Sequence, residues 1–159
     1  MNNKLFLTYC WITSFAWFGL ILILSTIPDL DTKGNQIDWL VRGVGYALMY
    51  AIMFLLILRS LLASARSKVK RLAYYKSRRE RSEDVEFALL TEFLLFVIAV
   101  LITIILSVID EYLQSQVVGR VAAVSDILIN ILGIVIASTL VYKIPLLTEA
   151  EDILLKKHK

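Results

Sequence analysis

Four apolar runs, separated by short polar segments, set the pattern of this chain. The first extends from Leu5 to Ile27 without a charged residue. At about 1.5 Å of rise per residue, a helix of that length covers the roughly 30 Å hydrocarbon core of a bilayer. The second run, Trp39 to Leu62, opens on polar positions and then becomes almost continuously apolar. The third covers Ala88 to Ile109, and the fourth starts near Val121 or Val124 and ends near Tyr142. The pattern predicts an all-α integral membrane protein with four transmembrane helices in two hairpins. Their expected bounds are about 5–27, 39–62, 88–114 and 121–142, within a single domain over 1–159. A cleaved signal peptide fits the first run poorly. Its only preceding charge is Lys4, the run is long, and no small-x-small cleavage site follows, so a retained helix is expected.

The connections differ in character. Pro28, Asp29, Asp31, Gly34 and Asn35 make the first a turn-rich, acidic loop. The second, over 63–87, is basic: nine of the 17 Lys and Arg residues fall between Arg59 and Arg81. Such a cluster beside apolar spans marks a cytoplasmic loop that touches anionic headgroups, so the expected partner is the bilayer and not a nucleic acid. Four spans then put both termini in the cytoplasm and the segments 28–38 and 110–123 together on the outer face. Composition agrees, with 58% hydrophobic residues and a mean hydropathy of +0.73. Cys10 is the only cysteine. An internal disulfide is excluded, a single cysteine argues against a cysteine-based metal site, and a buried inert thiol is expected.

Polar residues concentrate at the outer end. Between Asp110 and Gly133 lie Asp110, Glu111, Gln114, Arg120, Asp126 and Asn130. Polar groups near hydrocarbon cost several kcal/mol each unless paired or hydrated, so the set calls for a purpose. Thr103, Ser107, Glu111 and Gln114 recur at helical spacing in the third segment, and Asp126, Asn130, Gly133 and Ala137 do so in the fourth. Gly133 and Ala137 form a small-xxx-small pair suited to close helix approach. In the second segment Asp38 and Arg42 share a face that continues through Gly45, Tyr46 and Met49. Two orientations stay open for Arg42: snorkelling to the interface, or pointing inward to a polar site. After Pro145, Thr148 and Glu151 match a capping box, and His158 falls in a lysine-rich tail.

These residues admit three roles. Arg42 and Arg120 suit a phosphate or carboxylate through the guanidinium fork, with Gln114, Asn130 and the carboxylates left for a sugar or peptide. An enzyme acting on a lipid-linked phosphate or sugar would use Asp110, Glu111 and Asp126 around Mg²⁺, or Glu111 as general base. A purely structural set would pair Asp38 with Arg42 and Asp126 with Arg120. No Ser-His-Asp set and no phosphate-cradling glycine loop occurs, and no cofactor is expected. A transport role would require a homo-oligomer.

Asp110-Glu111-x-x-Gln114, then Gly119-Arg120, then Ser125-Asp126-x-x-x-Asn130-x-x-Gly133 resembles the hallmark of the VanZ-like family of small bacterial membrane proteins. Asp38 to Tyr46 resembles that family's second motif, in which an Asp is followed four residues later by His and then by Gly-Tyr. Gly45 and Tyr46 match, whereas Arg42 stands at the His position. The resemblance spans roughly Ser25 to Leu140. It implies a cell-envelope protein of the bacterial membrane, and some relatives contribute to resistance against teicoplanin, a glycopeptide that targets cell-wall precursors. A lipid-linked precursor, a lipid headgroup or the drug itself is therefore the expected ligand, with Glu111, Gln114, Arg120, Asp126 and Asn130 as leading contacts and Arg42, Tyr46, Asp110 and Asp38 beside them. Any step needing a titrating histidine is lost with Arg42, because a guanidinium keeps its proton near neutral pH.

The orientation is testable with single cysteines in a Cys10→Ser background. A cysteine at position 33 should react with a membrane-impermeant maleimide in intact cells, and one at position 77 only after permeabilisation. The reverse pattern would invert the topology.

Overall fold

Helix formation follows the apolar runs but overshoots them on one side. The computed structural model describes residues 3–27, 36–75, 83–117 and 123–143, with side chains at 4–27, 40–65, 90–117, 123–141 and 143. It contains α1 (Asn3–Ser25), α2 (Gln36–Tyr75), α3 (Glu83–Gln114) and α4 (Val124–Lys143), and no strand among these residues. Each helix holds a stretch long and apolar enough to cross a bilayer: Lys4–Ser25, Leu40–Ala65, Leu90–Gln114 and Val124–Val141. The expected basic loop over 63–87 is thus largely helical. No Gly or Pro lies between Gly45 and Gly119, and Leu, Ala, Lys and Arg are good helix formers. Helix α2 therefore continues past Leu62 to Tyr75, and α3 starts ahead of Ala88 at Glu83. Pro28, the acidic loop, the remainder of the basic connection and the tail with Thr148, Glu151 and His158 lie outside the described residues.

Side-chain contacts fix the register. Trp11 Nε1 donates to Ser64 Oγ at 3.2 Å, Ser14 and Ser60 share a hydrogen bond at 3.0 Å, and Trp17 Nε1 donates to the Met49 carbonyl at 3.0 Å. Contacts that descend on one helix as they climb on the other make α1 and α2 antiparallel. Asn130 Nδ2 donates to Ser107 Oγ at 3.0 Å, and the Ala123 amide reaches Glu111, so α3 and α4 are antiparallel as well. Four helix ends therefore gather at one end of the bundle: those near Ser25, Gln36, Gln114 and Val124.

Helix α2 is central, packing on each of the other three, with its broadest contact against α4. Along that seam Gly133 lies so close to α2 that a Cβ there would sit 2.0 Å from the Ala47 carbonyl oxygen. Gly43, one turn before Ala47, faces Ile129, whose Cδ1 would lie 3.4 Å from an added Cβ. Lipid tails are as apolar as leucine, so association of membrane helices relies on such close backbone packing and not on expulsion of water. Ala137 and Ile134 complete the α4 side of a core with Ile21, Tyr50, Met53, Phe54, Ile57 and Ala99. Phe54 meets Phe96 edge to face, with centroids 5.7 Å apart. Cys10 is a buried free thiol.

Gly133→Ala should lower the melting temperature of the detergent-solubilised protein markedly, since overpacking of this kind costs about 1–3 kcal/mol or more. Gly45→Ala, whose Cβ would meet nothing within 4 Å, is the control and should be close to neutral. Equal melting temperatures for the two variants would contradict the close α2 to α4 approach.

Candidate functional site

Apart from Ser14 and Ser60, which pair with each other, the buried polar side chains gather towards the end where the four helix ends meet. Asp110, one turn before the end of α3, is fully buried. Its Oδ1 accepts from Ser25 Oγ on α1 at 2.5 Å. Its Oδ2 accepts from Tyr50 Oη on α2 at 2.9 Å and from Gln114 Nε2 on its own helix at 3.1 Å. One carboxylate thus joins three helices, and all three of these partners donate. Tyr46 and Glu111 lie in the electrostatic surroundings of Tyr50.

Glu111 lies about 100° further around α3. Its Oε1 accepts the Ala123 amide at 2.7 Å, immediately ahead of α4. Alanine is a poor N-cap, having no side-chain acceptor for the first free amides of a helix. The Ala123 carbonyl accepts the Asp126 amide at 2.9 Å, and the Glu111 carboxylate places negative charge beside the positive end of the α4 dipole. Glu111 therefore fastens the start of α4 to the end of α3. Half a turn deeper into the bundle, Asn130 is 2% exposed. Its amide nitrogen is held by Ser107, while its Oδ1 is buried with no hydrogen-bond donor among the described residues.

Of the residues expected from sequence, Asp110, Glu111, Gln114 and Asn130 come together. Arg42 and Tyr46 are half-buried on α2 near the same end, with the Arg42 Nε shielded from solvent. Asp126 stays at the first turn of α4, half-buried, within 3.3 Å of Ser125 Oγ. Asp110, Glu111 and Asp126 do not form a group able to hold a metal ion, and no such group occurs among the described residues, so the Mg²⁺ arrangement finds no support. Arg120 and the Asp38 side chain lie outside the described residues, and with them both expected ion pairs. The sequence-based set omitted Ser25 and Tyr50. Tyr50 follows Arg42 and Tyr46 at steps of four, a line that could have been extended; Ser25 carries no comparable signal.

Residues 6–147 match the family model described as VanZ/LLP1, and the chain belongs to that family. Neither the curated proteins nor the solved structures yield a significant match.

Asp110→Asn should destabilise the bundle by about 1–3 kcal/mol, because an amide NH₂ would replace an oxygen that now faces donors. Tyr50→Phe should cost less, about 1 kcal/mol. A double-mutant cycle on the two, read by unfolding in micelles, should show coupling; strict additivity would mean that the hydrogen bond at 2.9 Å contributes nothing.

Proposed function

We propose that this member of the VanZ/LLP1 family is a multi-pass protein of the bacterial cell membrane that binds, without chemical conversion, a polar headgroup at the outer end of its bundle. The ligand is a lipid-linked cell-wall precursor, a lipid headgroup or a glycopeptide such as teicoplanin, and occupancy lowers susceptibility to the drug. The supporting observation is Asn130: a buried amide, held by Ser107 through its nitrogen, has a buried carbonyl oxygen with no hydrogen-bond donor among the described residues. An unpaired buried acceptor costs about 1–3 kcal/mol, and a sugar hydroxyl or peptide N–H from a ligand would relieve that cost. Arg42, one guanidinium near the same end, supplies the complement for a phosphate or carboxylate.

An enzymatic role draws less support. Both oxygens of Asp110 accept from protein donors, and Glu111 Oε1 is engaged by Ala123. The Glu111 carboxylate thus already serves the start of α4.

Expression of the wild-type chain in a teicoplanin-sensitive Gram-positive host should raise the inhibitory concentration several-fold. Asn130→Ala and Arg42→Gln, at matched membrane levels and melting temperatures, should abolish that protection, whereas Gln116→Ala, at an exposed position, should not. Full protection by Asn130→Ala would remove the site from the mechanism.

A further inference from the structure

The opposite end of the bundle carries a second arrangement that the polar end does not use. Arg59 lies on α2 within the apolar stretch Leu40–Ala65. Its neighbour Ser60 is level with Ser14 on α1, as their hydrogen bond shows. The Arg59 guanidinium, however, stands 5.4 Å from the ring centroid of Phe6 and 5.8 Å from that of Tyr9. Both rings precede Ser14 on α1, so the side chain runs along α1 towards that helix's N-terminal end. An arginine in hydrocarbon extends this way to bring its charge to the interface. Here two aromatic faces hold the charge at the end of its reach, and Tyr9 is 54% exposed on the outer surface of the bundle.

From this geometry we infer that Arg59, Phe6 and Tyr9 form a binding site for the phosphate of an anionic membrane phospholipid, in the leaflet at the N-terminal end of α1. Ring stacking engages the face of a guanidinium, while phosphate is bound through its edge, so one arginine serves both contacts. The acyl chains of such a lipid would lie against the exposed apolar residues alongside, among them Leu5 and Ile12. Positions 59, 66 and 70 fall within about 40° of one another around the α2 axis, and all three are basic. Basic positions therefore recur on the Arg59 side of the helix beyond the apolar stretch, which suits an anionic headgroup better than a zwitterionic one. The inference is independent of any ligand at the other end of the bundle.

Native mass spectrometry of the full chain in neutral detergent, titrated with dioleoylphosphatidylglycerol, dioleoylphosphatidylcholine or inorganic phosphate, tests the site. The wild type should retain the anionic lipid about 10-fold more tightly than the zwitterionic one, with millimolar phosphate failing to displace it. Arg59→Gln should erase that preference and Tyr9→Leu should weaken it several-fold, while Arg66→Gln with Lys70→Gln should leave most of it. An unchanged preference in Arg59→Gln, or a preference lost only with Arg66 and Lys70, would overturn the site in favour of general surface charge. Displacement by inorganic phosphate would overturn the lipid as its ligand. Should Arg59→Gln fail to fold, Tyr9→Leu decides alone, because its ring is exposed and its loss leaves the core intact.

Discussion

Asp110 accepts hydrogen bonds from Ser25, Tyr50 and Gln114 in a place from which solvent is excluded. A carboxyl group buried among apolar helices is tolerable only if its oxygens are met by donors, and these donors come from α1, α2 and α3. The relative height of the three helices is therefore set at one point. Helix α1 and α3 share little other contact, so the bond to Ser25 is the chief polar tie between them. Glu111, the next residue, extends the arrangement to the fourth helix through the Ala123 amide. Two adjacent carboxylates, about 100° apart around one helix end, thereby locate all four helices.

A second, apolar constraint holds α2 and α4 together. Polar groups set the height of the helices, whereas the backbone contact between Gly133 and Ala47 sets the distance between two of them. Both devices lie towards the same end. Below them the core is made of ordinary large side chains, such as Phe54, Phe96 and Ile57. The polar end is consequently where both constraints act on the bundle.

The four helices could be read from the chain because uninterrupted apolar runs of membrane-spanning length have few alternatives. The extensions of α2 and α3 into the basic connection were less sharply bounded: the absence of Gly and Pro allows a helix to continue, but the stretch carries no apolar run to say where it ends. For the site, polarity against an apolar background identified Asp110, Glu111, Gln114 and Asn130. The same criterion could not separate their roles. Asp126 is as conspicuous as Asp110 in sequence yet remains at the first turn of α4, because its position relative to α3 depends on how the bundle packs. Tyr50 continued the line of Arg42 and Tyr46, whereas Ser25 was invisible for the opposite reason. A hydroxyl at the end of an apolar helix is unremarkable until the acceptor opposite it is known. Family membership adds weight to the motif but does not say which carboxylate binds and which one builds.

The partners of Asp110 also bear on how the chain is made. Ser25 and Tyr50 belong to the first helical hairpin and Asp110 to the second. An unpaired aspartate costs about 2.5–3.5 kcal/mol at the centre of a membrane helix and less towards its end, where Asp110 lies. During synthesis the first hairpin enters the bilayer before α3 emerges, so two hydroxyl donors already wait for the carboxylate. Reversing the order of the hairpins would present Asp110 to lipid alone. For Asp110 the order of the segments along the chain is in this sense part of the folding mechanism, because the carboxylate is delivered after two of the groups that satisfy it.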